Sequence, residues 1–294
     1  MTRSPNLFII GAPKCGTTSM ISYLSNHPDI FVSEVKEPHY FNTDSGHRYY
    51  FEEEAYLSLF KSASPKCDYL CEGSVWYLYS NVAITNILKF NPSAKFLILL
   101  RNPTDMFFSL HQELLFGGSE TESDPYKAWE LQNIRKEGKK IPIGCSDPRL
   151  LQYGNACKLG SQVEKASKLI AKENIKYILL DDLKSNPDSV YNDVLKFLKI
   201  KEWHLDSYQV VNKKKVRKFS SLARLFSFIT FLKKKIGIKG GMGIASKINK
   251  YNVSHDKSLS YKKDIEFQKH LKSYFLEDIN LLESLINKDL THWK

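Results

Sequence analysis

Leu7-Phe8-Ile9-Ile10-Gly11-Ala12-Pro13-Lys14-Cys15-Gly16-Thr17-Thr18-Ser19 is the stretch on which the reading of the chain turns. Four consecutive apolar residues, Leu7 to Ile10, suit a short strand buried on both faces. Gly11 and Gly16 bracket a tight turn of Pro13, Lys14 and Cys15, and Thr17 to Ser19 open a helix that runs on through Met20, Ile21, Tyr23 and Leu24. A strand, a glycine-bearing turn and a helix N-terminus together form an anion cradle. The amides of Cys15, Gly16, Thr17, Thr18 and Ser19 supply donors, the helix dipole adds partial positive charge, and Lys14 adds a full one.

The order of residues differs from a nucleotide-triphosphate loop. The pattern G-x-x-x-x-G-K-[ST] puts lysine after the second glycine and a magnesium-binding hydroxyl beside it. Here Lys14 precedes Gly16, and Thr17 stands where that lysine would be. The phrase PKCGTTS resembles the 5′-phosphosulfate loop of sulfotransferases that use 3′-phosphoadenosine-5′-phosphosulfate (PAPS), in the form carried by heparan-sulfate-type and bacterial members. The resemblance implies an α/β, P-loop-like sulfotransferase fold with a parallel sheet flanked by helices. It also implies PAPS as cofactor, adenosine 3′,5′-bisphosphate as its product, and no metal ion. Lys14 through Ser19 would then hold the 5′ end.

Further landmarks of the resemblance follow in order. Lys36-Glu37-Pro38-His39-Tyr40-Phe41 is similar to the family's K-E-x-H-F-F segment, which implies Glu37 as general base, with His39 as the other candidate base two residues away. Pro38 biases Glu37 towards extended backbone, placing the carboxylate on a connection after the short strand Ile30 to Val32. Glu72-Gly73-Ser74-Val75-Trp76-Tyr77 resembles the acceptor-binding E-K-S-P-x-Y stretch, making Ser74, Trp76 and Tyr77 candidate acceptor contacts beside Glu37 and His39. Gly73 replaces a lysine that assists catalysis there and Val75 replaces the proline, which argues against heparan sulfate itself as acceptor. The apolar run Phe96 to Leu100 ends at Arg101-Asn102-Pro103, a planar cation at a helix start with a good N-cap and first residue. With Ser109 eight residues on, this is similar to the family's 3′-phosphate site, although Met106 stands where many relatives carry a second arginine. The closing Asp289-Leu290-Thr291-His292-Trp293, after a helix expected over 271–286, resembles the end of many bacterial members.

An apolar fraction of 42% with 26% charged residues is ordinary for a globular protein, so 294 residues suffice for one large α/β domain with a full core. Residues 210–250 hold twelve basic and no acidic side chains, so without them the net charge of +11 falls to −1. Basicity thus belongs to one segment. The resemblance makes residues 210–258 a lid over the cofactor, with Arg217 a candidate 3′-phosphate ligand. The apolar run from Leu222 to Leu232, followed by Lys233-Lys234-Lys235, is too short to span a bilayer but suits weak association with an anionic membrane. Charge alone also admits nucleic acid, yet no recognition module is present, so none is expected as a partner. The expected partner is an acceptor alcohol: a glycan, a lipid or a small molecule. Five cysteines without paired spacing suit a reducing compartment, and a strand beginning by residue 7 leaves no room for a secretory signal, so the expected location is cytoplasmic. Two other readings stay open. The apolar run ending in Asp181-Asp182 mimics the metal-binding strand of P-loop kinases and NTPases. The basic segment by itself would serve a membrane- or nucleic-acid-binding protein without turnover.

Overall fold

The computed structural model describes residues 3–209, 216–217, 253–254 and 264–294. Five strands, β1 (Leu7–Gly11), β2 (Ile30–Val32), β3 (Tyr69–Gly73), β4 (Lys95–Leu100) and β5 (Ile175–Leu179), form a parallel sheet in the order β2-β3-β1-β4-β5. Burial follows from this order. Central β1 is buried at every residue and β4 at all but Lys95, whereas the edge strands β2 and β5 are only partly covered. Each fully buried Leu, Ile or Phe of β1 contributes about 1.5–3 kcal/mol. Phe8 of β1 stacks on Phe96 of β4 at 5.9 Å and meets Phe41 edge-on at 5.8 Å, which ties the sheet centre to the segment after β2. Because β1 lies between β3 and β4, chain connections leave it on opposite sides, and its carboxyl end is the crevice where such sheets bind ligands.

Among the described residues the helices are α1 (Thr17–Leu24), α2 (Glu53–Leu57), α3 (Ala83–Phe90), α4 (Pro103–Gly117), α5 (Pro125–Glu130), α6 (Gln132–Lys136), α7 (Tyr153–Ala156), α8 (Leu159–Leu169), α9 (Leu180–Ser185), α10 (Pro187–Leu198) and α11 (Ile265–Ile286). Local chemistry accounts for several boundaries. Asn186 caps α10 ahead of Pro187, and Asp124 caps α5 ahead of Pro125. From Pro148 to Leu169 the chain forms a 3₁₀ turn, then α7 and α8. At the start of α8 the Asp278 carboxylate of α11 accepts the Gly160 amide at 2.7 Å, and a Cβ at Gly160 would stand 2.1 Å from the Asp278 carbonyl oxygen.

The chain divides into two compact units, residues 1–106, 158–212 and 272–294, and residues 107–157 and 213–271. The first contains the five-stranded sheet. The second, within its described residues, is organised around a buried ion pair. Arg135 donates from both terminal nitrogens to Glu120 at 2.6 Å, and the Tyr153 hydroxyl donates to the same carboxylate at 2.7 Å. Two-residue strands β6 (Val216–Arg217) and β7 (Val253–Ser254) pair antiparallel. The rest of the 210–258 segment, including Lys233 to Lys235, lies outside the described residues. Among the described residues no helix is long and apolar enough to cross a membrane.

Candidate active site

The carboxyl ends of β1, β2, β3 and β4 carry the candidate residues, and each end is shaped differently. At β1 the register against β4 slips at Ile10, with Ile9 opposite Leu97 but Gly11 opposite Ile98. Ala12 then donates its amide to the Leu99 carbonyl at 2.7 Å, and the chain turns into the loop. Gly16 ends that loop at φ 90°, where an added Cβ would stand 2.8 Å from Leu180 Cδ1 and 3.1 Å from Leu183 Cδ2. Glycine is therefore required here by backbone and by space. As N-cap of α1, Gly16 supplies no side-chain oxygen to the first amides of the helix, and no acid stands in its first turn. An uncapped helix start with these properties favours an anion.

Lys14, at φ 65°, stands in that loop, and its carbonyl accepts a hydrogen bond from Arg101 Nη1 at 3.1 Å. Arg101 closes β4, and its buried Nε makes no hydrogen bond; nor does the buried Thr104 hydroxyl at the start of α4. An orphaned guanidinium N–H beside an uncapped helix is a cost the protein bears unless an anion lies there. Cys15 is no nucleophile. Burial pushes its thiol up to about 12, against the smaller pull of the Arg101 and Lys14 charges, and its amide donates to the Ala12 carbonyl at 3.3 Å.

Asn102 caps α4, accepting the Thr104 amide at 2.9 Å, and donates to the Trp293 carbonyl at 3.4 Å. The indole of buried Trp293 donates to Asp181 at 2.9 Å, and Asp182 pairs with Lys288 at 2.6 Å. The acids after β5 thus anchor the C-terminal segment. Among the described residues no three His, Cys, Asp or Glu side chains are grouped to hold a metal.

The segment after β2 supplies the carboxylate. Glu37 and His39 have φ of 57° and 51°, left-handed values that cost a non-glycine residue about 1–3 kcal/mol. Lys14, Glu37 and His39 are half of the six such residues among those described, and strain of this kind concentrates at functional sites. The Glu37 side chain is 24% exposed and that of His39 is not exposed at all, with His39 Nε2 3.5 Å from Glu37 Oε2. Lys36 Nζ lies 2.5 Å from the other oxygen. Burial pushes the Glu37 carboxyl up, but the neighbouring His39 imidazole and the Lys36 charge outweigh it and hold the group down at about 2. It is ionised at neutral pH. On the same loop Tyr49 and Phe51 are exposed, and the Tyr49 ring packs 5.9 Å from His39 and 5.0 Å from His47.

Behind this segment lies a polar cluster built around a carboxylate to which no motif assigns a role. Glu72 of β3 is fully buried. Ser74 Oγ donates to its Oε1 at 2.5 Å and the Tyr56 hydroxyl of α2 donates to its Oε2 at 3.1 Å, while the Tyr77 hydroxyl faces the same carboxylate. Ser74 Oγ in turn accepts the His39 amide at 3.0 Å, and the Tyr77 hydroxyl accepts the amides of Tyr40 and Phe41 at 2.9 and 3.2 Å. Ser74, Trp76 and Tyr77, expected as acceptor contacts, are buried, and the first and last spend their hydroxyls on this bracing. Gly73, where the resembling motif has lysine, lies so close to α1 that a Cβ would stand 2.5 Å from Ile21 Cδ1.

The sulfotransferase-domain family profile matches residues 4–236. The chain belongs to the sulfotransferase family. The bifunctional heparan sulfate N-deacetylase/N-sulfotransferase 1 of Mus musculus is 30% identical over 207 residues, 67% of this chain and 22% of the relative. Carbohydrate sulfotransferase 15 of Rattus norvegicus is 27% identical over 164 residues, 42% of this chain and 29% of the relative. The chain therefore spans about a quarter of these curated relatives. A sulfotransferase structure from Alicyclobacillus acidocaldarius superposes with a TM-score of 0.73 at 25% identity, covering 99% of both chains. Mouse sulfotransferase SULT7A1, solved in complex with PAP, shares the fold at a TM-score of 0.50 and 13% identity, over 96% of this chain and 87% of that one.

On this sulfotransferase fold the sheet unit holds Lys14 to Ser19, Glu37, His39, Ser74, Trp76, Tyr77 and Arg101. Ser109 is half-buried on α4, beyond the divide between the units. Arg217 is paired through its backbone with Val253, and its side chain lies outside the described residues. Sequence reasoning missed Glu72 and Tyr56 as parts of the site. One signal was available: Glu72 interrupts an otherwise apolar strand, where a lone carboxylate needs partners.

Proposed function

We propose that the chain transfers the sulfuryl group of PAPS to an acceptor hydroxyl, with Glu37 as general base and the β1–α1 loop and Arg101 as the anion-binding groups. The observation that carries this reading is the orphaned Arg101 Nε against a loop whose helix start has no cap, with an ionised, partly exposed carboxylate on the same edge of the sheet. The donor set fits a doubly anionic nucleotide. Lys14 and the main chain from Cys15 to Ser19 would hold its 5′ end, and Arg101 with Ser109 its 3′-phosphate, Arg217 being a further candidate. When bound, PAPS supplies the activated sulfuryl group.

The chain's own residues do the rest. Glu37 takes the proton of the acceptor hydroxyl onto a carboxylate oxygen as the hydroxyl attacks. The contrast in exposure supports Glu37 over His39 as base: His39 has no exposed surface and stands behind Glu37, with its Nε2 3.5 Å from the carboxylate. Lys36 must leave its oxygen before that oxygen can accept a proton, because the pair holds the carboxyl far below the pH at which a base is effective. Lys14 would place positive charge beside the 5′ end of the bound nucleotide, where it would stabilise a departing phosphate oxygen. The family match runs across both compact units, which supports reading them as parts of one sulfotransferase domain. Calorimetry with adenosine 3′,5′-bisphosphate and with ATP, both in EDTA, tests the proposal. We expect the bisphosphate to bind without metal and to raise the melting temperature by mass action. Preferential, magnesium-dependent binding of ATP would transfer the chain to the phosphotransferase reading.

A further inference from the structure

Glu72 is a carboxylate with no exposed surface, bonded only to hydroxyls, on a strand that the proposed chemistry does not touch. Burying such a group is costly unless every oxygen is satisfied, so its place needs a reason. The direction of its bonds supplies one. A serine or tyrosine hydroxyl has one proton to donate and lone pairs left to accept. An ionised carboxylate can only accept, so the Ser74 proton is directed towards Glu72 and its charge draws the Tyr77 proton the same way, leaving the lone pairs of both hydroxyls to the other side. There they meet three successive amides, those of His39, Tyr40 and Phe41. The protons therefore all point one way, from amide to hydroxyl to carboxylate, and the amides belong to the segment with the two left-handed residues Glu37 and His39.

We propose that Glu72 is a positioning residue: by taking the Ser74 and Tyr77 protons it makes those hydroxyls acceptors for the 39–41 amides, and so holds Glu37 at its exposed, His39-backed station. The proposal rests on the reading of Glu37 as base. A neutral group at position 72 would carry a proton of its own and compete for the same hydroxyl lone pairs as the amides. The groups facing Glu72 are Tyr56 from α2, Cys71 from its own strand, Tyr77 from the segment after it, and Glu37 from the loop after β2. Burial pushes the tyrosines and the thiol up, and Glu37 is held down, so Glu72 alone of these changes charge near neutrality. Burial pushes it up to about 7 against the pull of Ser74, Tyr77 and Tyr56.

Amide hydrogen exchange at pH 8, where Glu72 is ionised, tests the wiring without any acceptor. Glu72→Gln should speed exchange at His39, Tyr40 and Phe41 by about tenfold or more while the amides of β1 and β4 keep their protection. Ser74→Ala should expose only the His39 amide, and Tyr77→Phe only those of Tyr40 and Phe41. These two variants decide the matter even if Glu72→Gln does not fold. The catalytic consequence is read from sulfuryl transfer by labelled PAPS to two un-ionised alcohols, an alkyl glucoside and desulfated heparan. Glu72→Gln should lower kcat by about 10- to 100-fold with KM for PAPS within twofold, the effect of a misplaced group and not of a lost ligand. In a Glu37→Gln background the same change should cost nothing further. Unaltered exchange at all three amides, or a loss that multiplies with Glu37→Gln, would overturn the proposal. Transfer to neither probe by the unaltered protein would count against the proposed function, while the exchange pattern would still decide the positioning.

Discussion

The loop after β1 and the loop after β2 hold opposite charges by opposite means. The first is main chain fitted against side chains: Gly16 fills the only space left by Leu180 and Leu183, and the anion-seeking groups are amides, Lys14 and one arginine N–H. The second is side chain fitted against main chain: two hydroxyls and a buried carboxylate hold three amides from residues 35 to 37 positions away in sequence. The difference teaches that a cation site can be written into consecutive residues, because amides come with the chain. A poised carboxylate has to be braced from elsewhere.

The largest effect expected from this contrast is at Glu37. Glu37→Gln removes the base and keeps its shape, so kcat should fall by about 10²–10⁴-fold while the calorimetric Kd for adenosine 3′,5′-bisphosphate holds or improves slightly. Near-normal turnover in this variant, with His39→Ala inactive, would move the base to His39 and merge the roles separated here. Next in size is Arg101→Ala, which should weaken bisphosphate binding by about 1.5–3 kcal/mol, the worth of a charged hydrogen bond. Equal affinity of the unaltered protein for the 3′-dephosphorylated nucleotide would show that Arg101 and Ser109 do not read that phosphate.

The smallest effect is a pH dependence that belongs to the bracing. Glu37, held at about 2, leaves no acid limb near neutrality, whereas Glu72 loses its proton at about 7. Turnover should therefore rise roughly five- to tenfold between pH 6 and pH 8. Stability moves in the opposite direction. The carboxyl binds its proton more tightly folded than unfolded, so its contribution is fully present below the ordinary value of 4.5 and is lost as pH rises through about 7. A flat kcat across that range, or a melting temperature that climbs with it, would remove Glu72 from the account.

The sequence made the first loop legible and left the second half-read, for a physical reason. Leu7 to Ile10, the two glycines and Lys14 are neighbours, so their joint meaning survives without a structure; the same holds for Arg101-Asn102-Pro103 at the end of β4. KEPHYF was legible as a motif, but neither the left-handed backbone of Glu37 and His39 nor the hydroxyls beneath it can be read from adjacent letters. Pro38 pointed to an extended Glu37, yet tertiary bonds hold that residue at φ 57°. The aromatics after Glu72 looked available to an acceptor because spacing alone does not say which side of a segment faces the core. Trp293 is legible only as part of a closing signature, and its work in binding Asp181 depends on a meeting across 112 positions.

Gly73 has a consequence for engineering. A side chain there would begin 2.5 Å from the Cδ1 tip of Ile21 and 3.2 Å from its Cγ1, on the helix that follows the anion loop. Those atoms are the end of a flexible side chain, so the lysine found at this place in the resembling motif fits once Ile21 swings aside. Pairing Gly73→Lys with a smaller residue at position 21 gives that room beforehand, so the cation can be installed without pressing on the loop's own helix.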